Sequence, residues 1–345
     1  MSSAERAMGL TVLKPGMLSS FQDTGRTGLQ HLGIPVAGAM DERAHRLANL
    51  LAGNTASHAT LEITLVGPTL RFDAPACLAI GGADLGATLN GIAVPPLRPM
   101  LARQGDVLAF ATRPRHERGV RAYLAVHGGY ELEPVMGSES TYLRSGFGGW
   151  HGRALNKDDR LPLRRPLQGD DAAMQALAGA LDDLRIYLPA PLVHMPRQAL
   201  RILPGAHWDA FDADSRRRLV EEAFQISPQS DRMGYRLTGP NLALSKPREM
   251  LSEAASFGTI QVPAGGQPII LMADRQTTGG YPKIAQVASA DLPLLAQYAP
   301  GQSVRFAMIG LEEAQRLDNA RERAYRDLSS SLQALRELLA QHAPL

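Results

Sequence analysis

Residues 269–282, IILMADRQTTGGYP, have a counterpart earlier in the chain at residues 78–91, LAIGGADLGATLNG. Each stretch begins with apolar residues that suit a β-strand and then reaches an Ala-Asp pair in a polar, glycine-containing segment. Two more pairs of similar segments follow the same order, LVGPTL (65–70) with LTGPNL (237–242) and RQGDVLAFA (103–111) with APGQSVRFA (299–307). Three matches in one order predict two related β-rich domains, in which closing each sheet into a barrel would remove exposed edges.

The pattern between these segments predicts where the domains begin and end. Residues 41–52 form a helix that Asp41 can cap, and short strands separated by glycine and proline turns fill the rest of the first half. A predicted helix and several prolines occupy residues 166–200, where we place the boundary. The predicted domains are therefore residues 9–190 and 198–309, followed by an amphipathic helix over 311–341.

The C-terminal helix carries a narrow apolar seam. Its members alternate spacings of three and four residues: Tyr325, Leu328, Leu332, Leu335 and Leu339. The seam favours a helix that lies on its own domain, and docking of a partner protein is the alternative.

Composition excludes several classes of protein. The net charge is +2 without any long block of Lys or Arg, which argues against a dedicated nucleic-acid surface. A single cysteine, Cys77, allows no intrachain disulfide and fits a reducing compartment. The sequence shows neither a signal-peptide pattern nor an apolar run of about 20 residues, so we expect a cytoplasmic protein that does not bind membranes.

The common catalytic and cofactor motifs are missing from the sequence. There is no GxxxxGK[ST] phosphate loop, no GxGxxG between a strand and a helix, no GxSxG elbow and no HExxH or zinc-type cysteine spacing. We therefore predict no metal site. Cys77 lies in an apolar strand and is expected in the core.

Two polar, glycine-rich stretches in the first half are candidate ligand sites. In residues 19–41, Gln22, Asp23 and Arg26 crowd around a glycine, and Asp with Arg can form a charge-assisted pair. In residues 137–153, serines and glycines end on Arg153, a pattern that suits an anion-binding nest. A capped turn and a flexible loop are the respective alternatives.

Two such stretches also occur in the second half, and they contain most of the candidate site. Residues 230–240 contain Arg232, Tyr235 and Arg236, and residues 273–283 follow the apolar run QPIILM. Asp274 occupies a strand end equivalent to that of Asp84, but it has Arg, Gln and two Thr as neighbours. This asymmetry favours chemistry in the second domain.

These stretches together resemble one family. FQDTGRTGLQHLGIPVAGAMD, GSESTY, GGWHGR, SDRMGYRL and SEAASFGTIQVP…GQPIILMADRQTTGGYPKIAQV are similar to the allophanate hydrolase subunit 2 family, a biotin-dependent carboxyltransferase-like family that includes the KipA-like C subunits of bacterial 5-oxoprolinase. The resemblance implies a mainly β fold of two tandem cyclophilin-like β-barrel domains. It also implies Arg at the position of Glu139.

The resemblance further implies an activity with partners. It implies ATP-dependent ring opening of 5-oxo-L-proline, a lactam, to L-glutamate, together with a protein like the B subunit (KipI-like) and a protein like the A subunit. ATP, with or without Mg²⁺, would be bound by this chain or by a partner. The alternatives are the carboxyltransferase component of a urea-carboxylase-like system, which would use biotin, and a non-catalytic antagonist of a kinase-inhibitor-like protein.

We assign roles to the candidate residues under the first of these hypotheses. Asp274 would act as base or orienting carboxylate, Arg275 and Arg232 would stabilise negative charge, and Gln276 would hydrogen-bond the substrate amide. The remaining candidates would bind substrate or nucleotide: Gln22, Asp23, Arg26, Ser138, Ser140, Arg153, Tyr235, Arg236, Thr277, Thr278, Gly279, Gly280, Tyr281 and Lys283.

Overall fold

The computed structural model describes residues 8–111, 119–193, 197–246, 248 and 250–343. The chain divides into two compact units, which are not continuous in sequence. The first contains residues 1–25, 41–189 and 325–345, and the second contains residues 26–40 and 190–324. Segment 26–40 therefore groups with the second unit, and the end of the chain groups with the first.

Two antiparallel sheets of the first unit enclose one core. Their strands are β1 (Gly9–Lys14), β2 (Leu18–Gln22), β3 (Thr60–Thr64), β4 (Thr69–Phe72), β5 (Ala76–Gly82), β6 (Thr88–Leu89), β7 (Ile92–Ala93), β8 (Met100–Ala102), β9 (Val107–Ala109), β10 (Arg121–Val126) and β11 (Arg160–Pro162). Among the described residues, the sheet orders are β11-β1-β4-β9-β6-β7 and β2-β3-β10-β5-β8. Both sheets contribute side chains to the same buried cluster, including Leu10 and Leu124.

The predicted helix at 41–52 is confirmed as α1 (Glu42–Leu51). The carboxylate of Asp41 accepts a hydrogen bond from the N–H of Ala44 (2.9 Å), as an N-cap residue does. The helix packs on β5 and β10. At Gly81, a β-carbon would lie 2.4 Å from the carbonyl oxygen of Ala44, so this close contact requires glycine.

A nearly closed barrel forms the second unit. Its strands are β12 (Leu200–Pro204), β13 (Phe224–Ile226), β14 (Gly234–Thr238), β15 (Glu253–Ala254), β16 (Thr259–Gln261), β17 (Ile269–Leu271), β18 (Thr278–Gly279), β19 (Lys283–Val287), β20 (Ser303–Val304) and β21 (Phe306–Met308). In the described residues, the main sheet has the order β20-β13-β14-β17-β16-β19-β12-β21. Its two edge strands are consecutive in sequence and separated only by Arg305, which brings the two edges of the sheet together.

A separate two-stranded sheet of β15 and β18 carries much of the candidate site. In it, β15 pairs with β18, with Glu253 opposite Gly279 and Ala254 opposite Thr278. The neighbouring pairing of β16 with β19 contains a bulge between Ile260 and Gln261. A bulge re-aims a side chain, and such irregularities are frequent beside functional sites.

The described residues contain five more α-helices: α2 (Asp171–Asp183), α3 (Ala213–Glu221), α4 (Leu292–Leu295), α5 (Leu311–Ser331) and α6 (Gln333–His342). Short 3-10 helices lie at Gln30–Leu32, Ala190–Leu192, Trp208–Ala210 and Ser289–Asp291. The C-terminal helix expected over 311–341 is thus two helices, separated at Leu332. The predicted seam from Tyr325 to Leu339 is buried. Its residues group with the first unit, where the guanidinium of Arg46 stacks 3.6 Å from the centroid of the Tyr325 ring.

The mainly β fold class predicted from the sequence is confirmed, with its barrel and its helical C-terminal segment. Cys77 is a buried core residue, as expected, and burial raises the pKa of its thiol to about 12. None of the helices in the described part of the chain has both the length and the apolar character needed to span a membrane.

Candidate functional site

The segment 253–255 holds two of the charged side chains that follow β17, those of Arg275 and Lys283. Lys283 is 8% exposed, and its Nζ donates to the carbonyl oxygen of Ala254 (2.7 Å) and to Oε2 of Glu253 (3.0 Å). The next carbonyl oxygen, that of Ala255, accepts from Nε of Arg275 (3.2 Å). Consecutive backbone carbonyls therefore hold an ammonium and a guanidinium group, which places two cations in one region of the second unit.

Arg275 combines burial with weak compensation of its charge. Beyond Ala255, its Nη1 reaches only the carbonyl oxygens of Met272 (3.4 Å) and Ala273 (3.5 Å). Within the described residues no carboxylate lies within ion-pair distance of its guanidinium. Burial lowers the pKa of Arg275, partly opposed by the charge of Asp274. A half-buried guanidinium of this kind can bind an anionic ligand with two parallel hydrogen bonds.

His207 lies against the same lysine and fixes its own tautomer. Its Nδ1 accepts a hydrogen bond from the backbone N–H of Lys283 (3.1 Å), so the neutral ring carries its proton on Nε2. That Nε2 lies 3.9 Å from Oε1 of Glu253. Burial lowers the pKa of His207, and the hydrogen bond from Lys283 lowers the pKa of Glu253. Near neutral pH the cluster therefore contains a neutral imidazole, a carboxylate and an ammonium group.

Two glutamine side chains converge on Gly279. A β-carbon at that position would lie 2.7 Å from Nε2 of Gln261 and 2.9 Å from Nε2 of Gln276. Gln261 is opposite Lys283 in the β16–β19 pairing, and Gly279 is opposite Glu253 in the β15–β18 pairing. Strand pairing thus gathers Gln261, Gln276, Lys283 and Glu253 around one residue without a side chain.

Asp274 and Arg232 form a buried, bidentate ion pair. Nε and Nη2 of Arg232 each donate to one carboxylate oxygen of Asp274, both at 2.9 Å. Nη2 also donates to the carbonyl oxygen of Gly38 (2.7 Å). Because the same guanidinium engages both oxygens, the geometry favours the orienting role for Asp274 over the role of base.

The remaining candidates in the second unit have different surroundings. Thr278 and Tyr281 are exposed, and the carbonyl oxygen of Thr277 accepts from the N–H of Ala255 (2.9 Å). Tyr235 lies in the barrel core, whereas the next residue, Arg236, is exposed, as the alternation of a strand requires. Gly280 lies close to the start of β15, since a β-carbon at Gly280 would lie 3.5 Å from Oγ of Ser252.

In the first unit, the predicted anion-binding loop holds a carboxylate of the protein itself. Oδ1 of Asp23 accepts from Oγ of Ser138 (2.7 Å), from Oγ of Ser140 and from the N–H of Gly25 (2.7 Å), and Oδ2 accepts from the N–H of Glu139 (2.6 Å). The predicted donors are therefore engaged by Asp23. Glu139 forms an ion pair with Arg164, so its charge is compensated.

The other candidate side chains of this half have partners within the protein. Nε2 of Gln22 donates to Oγ of Ser20 (3.1 Å) and to the carbonyl oxygen of Thr141 (3.2 Å). Arg153 forms a bidentate pair with Asp159, with both contacts at 2.7 Å. Arg26 is buried and is grouped with the second unit, and Gln22 and Asp23 are grouped with the first. The ligand-binding roles of these residues stay predictions.

Sequence reasoning missed Glu253 and Gln261 as site residues. Both lie in SEAASFGTIQVP, a stretch that carries no recognised catalytic motif. A polar residue between Ile260 and Val262 was the available signal for Gln261, since all three positions are buried. Glu253 joins the site only through the pairing of two-residue strands, which leaves no periodic pattern. In the described residues no group of three or more His, Cys, Asp and Glu side chains is arranged to hold a metal ion.

Comparison with known families places this geometry in context. Residues 32–308 match the family described as carboxyltransferase domain, subdomain A and B. The chain belongs to this carboxyltransferase domain family.

Individual proteins are similar over most of the chain. The chain is 40% identical to the C subunit of 5-oxoprolinase from Escherichia coli (strain K12) over 320 residues, which cover 93% of this chain and 97% of that protein. It is 39% identical to the C subunit of 5-oxoprolinase from Haemophilus influenzae over 304 residues, 88% of this chain and 92% of that protein. The crystal structure of the Kluyveromyces lactis urea carboxylase superposes with a TM-score of 0.83 at 29% identity, covering 93% of this chain and 29% of that chain.

Proposed function

We propose that the chain is the C subunit of a 5-oxoprolinase-type complex, which opens the ring of 5-oxo-L-proline to L-glutamate with ATP and with partners like the A and B subunits. The observation that carries this proposal is similarity over nearly full length. The chain covers 97% of the E. coli protein, but only 29% of the urea carboxylase.

Arg275 supports the choice of substrate. 5-Oxoproline has both a carboxylate and a ring amide, whereas urea has no negative charge. A half-buried guanidinium held only by backbone carbonyls would gain a full counter-charge from the substrate carboxylate. The residue would therefore favour a carboxylated lactam over urea.

The other residues would orient the substrate and stabilise charge around it. In ring opening, the carbonyl carbon gains the oxygen of water, the C–N bond breaks with its electron pair going to nitrogen, and nitrogen gains protons. Lys283 has one N–H beyond those donated to Glu253 and Ala254, and it would face the negative charge that develops during this step. Arg232 and Asp274 would hold the turn that presents Arg275.

The contacts of the serine-rich loop argue against ATP binding by that loop. The serine-rich loop, which the sequence suggested for phosphate, uses its donors on Asp23. We therefore propose that a partner protein binds ATP.

Reconstitution tests the proposal. The chain should release glutamate from 5-oxoproline only when both partner proteins and ATP are present, and omission of any one component should abolish release. Absence of glutamate with all components assembled in a stable complex would contradict the proposal.

A carboxyltransferase acting on urea is the second candidate, favoured by the family itself and by the superposition with urea carboxylase. Biotin would be its cofactor, carried by another protein. Transfer of labelled carboxyl from carboxybiotin to urea, without turnover of 5-oxoproline, would support this candidate over the first.

A further inference from the structure

Gln261 is a buried polar side chain with an unmet hydrogen-bonding requirement. It is 1% exposed, and its Nε2 has no hydrogen-bond partner among the described residues. Buried polar side-chain atoms are nearly always hydrogen-bonded, so an exception calls for a physical explanation. A leucine of similar volume would fill the same space without this penalty.

The local backbone places Gln261 close to the two-stranded sheet of β15 and β18. The bulge between Ile260 and Gln261 breaks the regular register of β16 with β19 just where this side chain begins. Its amide then lies against Gly279, where a β-carbon would come within 2.7 Å of Nε2. The exposed Gln276 brings a second amide to the same glycine.

We infer that Gln261 recognises the amide group of the ligand, with the exposed Gln276 side chain moving aside so that a ligand amide takes its place over Gly279. This inference rests on the proposed function, because it names the part of the substrate that the same site binds. An amide offers both a carbonyl acceptor and an N–H donor, so it satisfies the terminal group of a glutamine in either orientation.

The chemistry of the ligand follows from this pairing. The group recognised is a neutral N–C=O unit, which occurs both in a lactam and in urea. Because the unsatisfied atom of Gln261 is the donor Nε2, the carbonyl oxygen of this unit is the part that it recognises, and a ligand without a carbonyl would leave Nε2 unsatisfied. Arg275, which favours an anion, would separate 5-oxoproline from the neutral amides.

Binding and stability of the purified chain test the inference together. We compare wild type with Gln261→Leu, using 2-pyrrolidinone as the lactam probe, urea as the second amide source and cyclopentanone as the analogue without N–H. Gln261→Leu should raise the unfolding temperature and weaken binding of 2-pyrrolidinone at least tenfold, as measured by NMR titration. Cyclopentanone keeps the carbonyl acceptor, so Gln261→Leu should weaken its binding at least tenfold as well.

Controls separate this role from packing. Gln315→Leu changes an exposed glutamine of α5 and should leave both quantities unaltered. If Gln261→Leu does not fold, Gln261→Met gives the same comparison. Unchanged amide binding in a folded variant, or no binding of either amide by wild type, overturns the inference. Preference for urea over 2-pyrrolidinone supports it while reversing the choice of amide source.

Failure of the inference and failure of the proposed function give different results. If the reconstituted complex releases no glutamate but the chain binds an amide in a Gln261-dependent manner, the proposed function fails and the inference stands. If the complex releases glutamate and Gln261→Leu leaves the KM for 5-oxoproline unchanged, the inference fails and the function stands.

Discussion

At the scale of a single residue, the proposed function predicts that Arg275 binds the carboxylate of the substrate. Arg275→Ala should raise the KM for 5-oxoproline by about 10–100-fold, since a charge-assisted hydrogen bond contributes about 1.5–3 kcal/mol. Arg275→Lys should recover part of this loss, because lysine restores the charge but not the planar, two-pronged geometry.

Steady-state kinetics of the reconstituted complex measure this effect. Arg217→Ala, which removes an exposed arginine of α3, is the control and should leave the KM unaltered. An Arg275→Ala complex with the wild-type KM for 5-oxoproline would show that Arg275 does not bind the carboxylate.

Asp274 and Arg232 affect stability as well as the site. Because both side chains are buried, Asp274→Ala should destabilise the protein by about 3–5 kcal/mol, leaving Arg232 without its counter-charge. Asp214→Ala, which breaks an exposed pair with Arg217, should cost about 1 kcal/mol or less. Urea unfolding of both variants checks this difference, and equal losses would argue against a buried pair.

The sequence predicted some of these residues and not others, for physical reasons. Asp274 and Arg275 follow an apolar strand in a run of polar residues, which is a visible pattern. Glu253 and Gln261 reach the site only through strand pairing and a bulge. Asp23 and the serines were recognised as polar and clustered, but the sequence does not reveal that the donors serve the protein's own carboxylate.

At the scale of elements, the packing around the two-stranded sheet of β15 and β18 requires the absence of a side chain at Gly279. Gly279→Ala should destabilise the protein by about 1–3 kcal/mol, because the new methyl group would meet the amides of Gln261 and Gln276. Gly265→Ala is the matched control, since no atom lies within 4 Å of the corresponding β-carbon.

Chemical unfolding of the two glycine variants gives the comparison. Gly265→Ala should be neutral or slightly stabilising, because alanine restricts the unfolded chain more than glycine does. A Gly279→Ala protein as stable as the Gly265→Ala protein would mean that the side-chain amides of Gln261 and Gln276 do not lie close to Gly279.

Long elements could be predicted from the sequence, and very short ones could not. The helix at 42–51 has a cap and a full apolar face, so its pattern was readable. Strands β15 and β18 have two residues each, which is too short for any periodicity. The break at Leu332 was missed because the apolar seam continues through it, from Leu328 to Leu335.

At the scale of the whole molecule, one pair of repeat glycines has similar surroundings, although the aromatic partners are not repeat counterparts, since Phe110 corresponds to Phe306 and not to Phe224. Gly67 and Gly239 occupy the same position in LVGPTL and LTGPNL, and a β-carbon at either would lie within 3 Å of a phenylalanine ring, Phe110 or Phe224. What the repeat could not predict is the discontinuous grouping of the chain. Segment 26–40 and residues 325–345 each group with the unit distant in sequence, through contacts that no local pattern encodes.

Buried histidines should make the protein sensitive to mild acid. Burial lowers the pKa of His45, His58, His127 and His207 from 6.5. Just below pH 6.5 the unfolded chain therefore binds more protons than the folded one, so stability falls as the pH falls. The loss is up to about 1.4 kcal/mol per pH unit for the fully buried His45 and smaller for the other three, which are partly exposed to solvent.

Urea unfolding at pH 7.5 and 5.5 measures this loss. His45→Gln should reduce the difference between the two pH values, because His45 is fully buried and hydrogen-bonded through both ring nitrogens. His31→Gln replaces an exposed histidine and should not change the difference. A His45→Gln protein with the full wild-type difference would assign the acid sensitivity to other groups.

The proposed site for a carboxylated amide consists of the cations held by segment 253–255 and the amide of Gln261 at Gly279. A crystal structure with 5-oxoproline is the decisive test. We expect the carboxylate of the ligand within ion-pair distance of Arg275 and its ring carbonyl within hydrogen-bond distance of Nε2 of Gln261. Ordered ligand bound elsewhere, with both side chains unchanged, would contradict it.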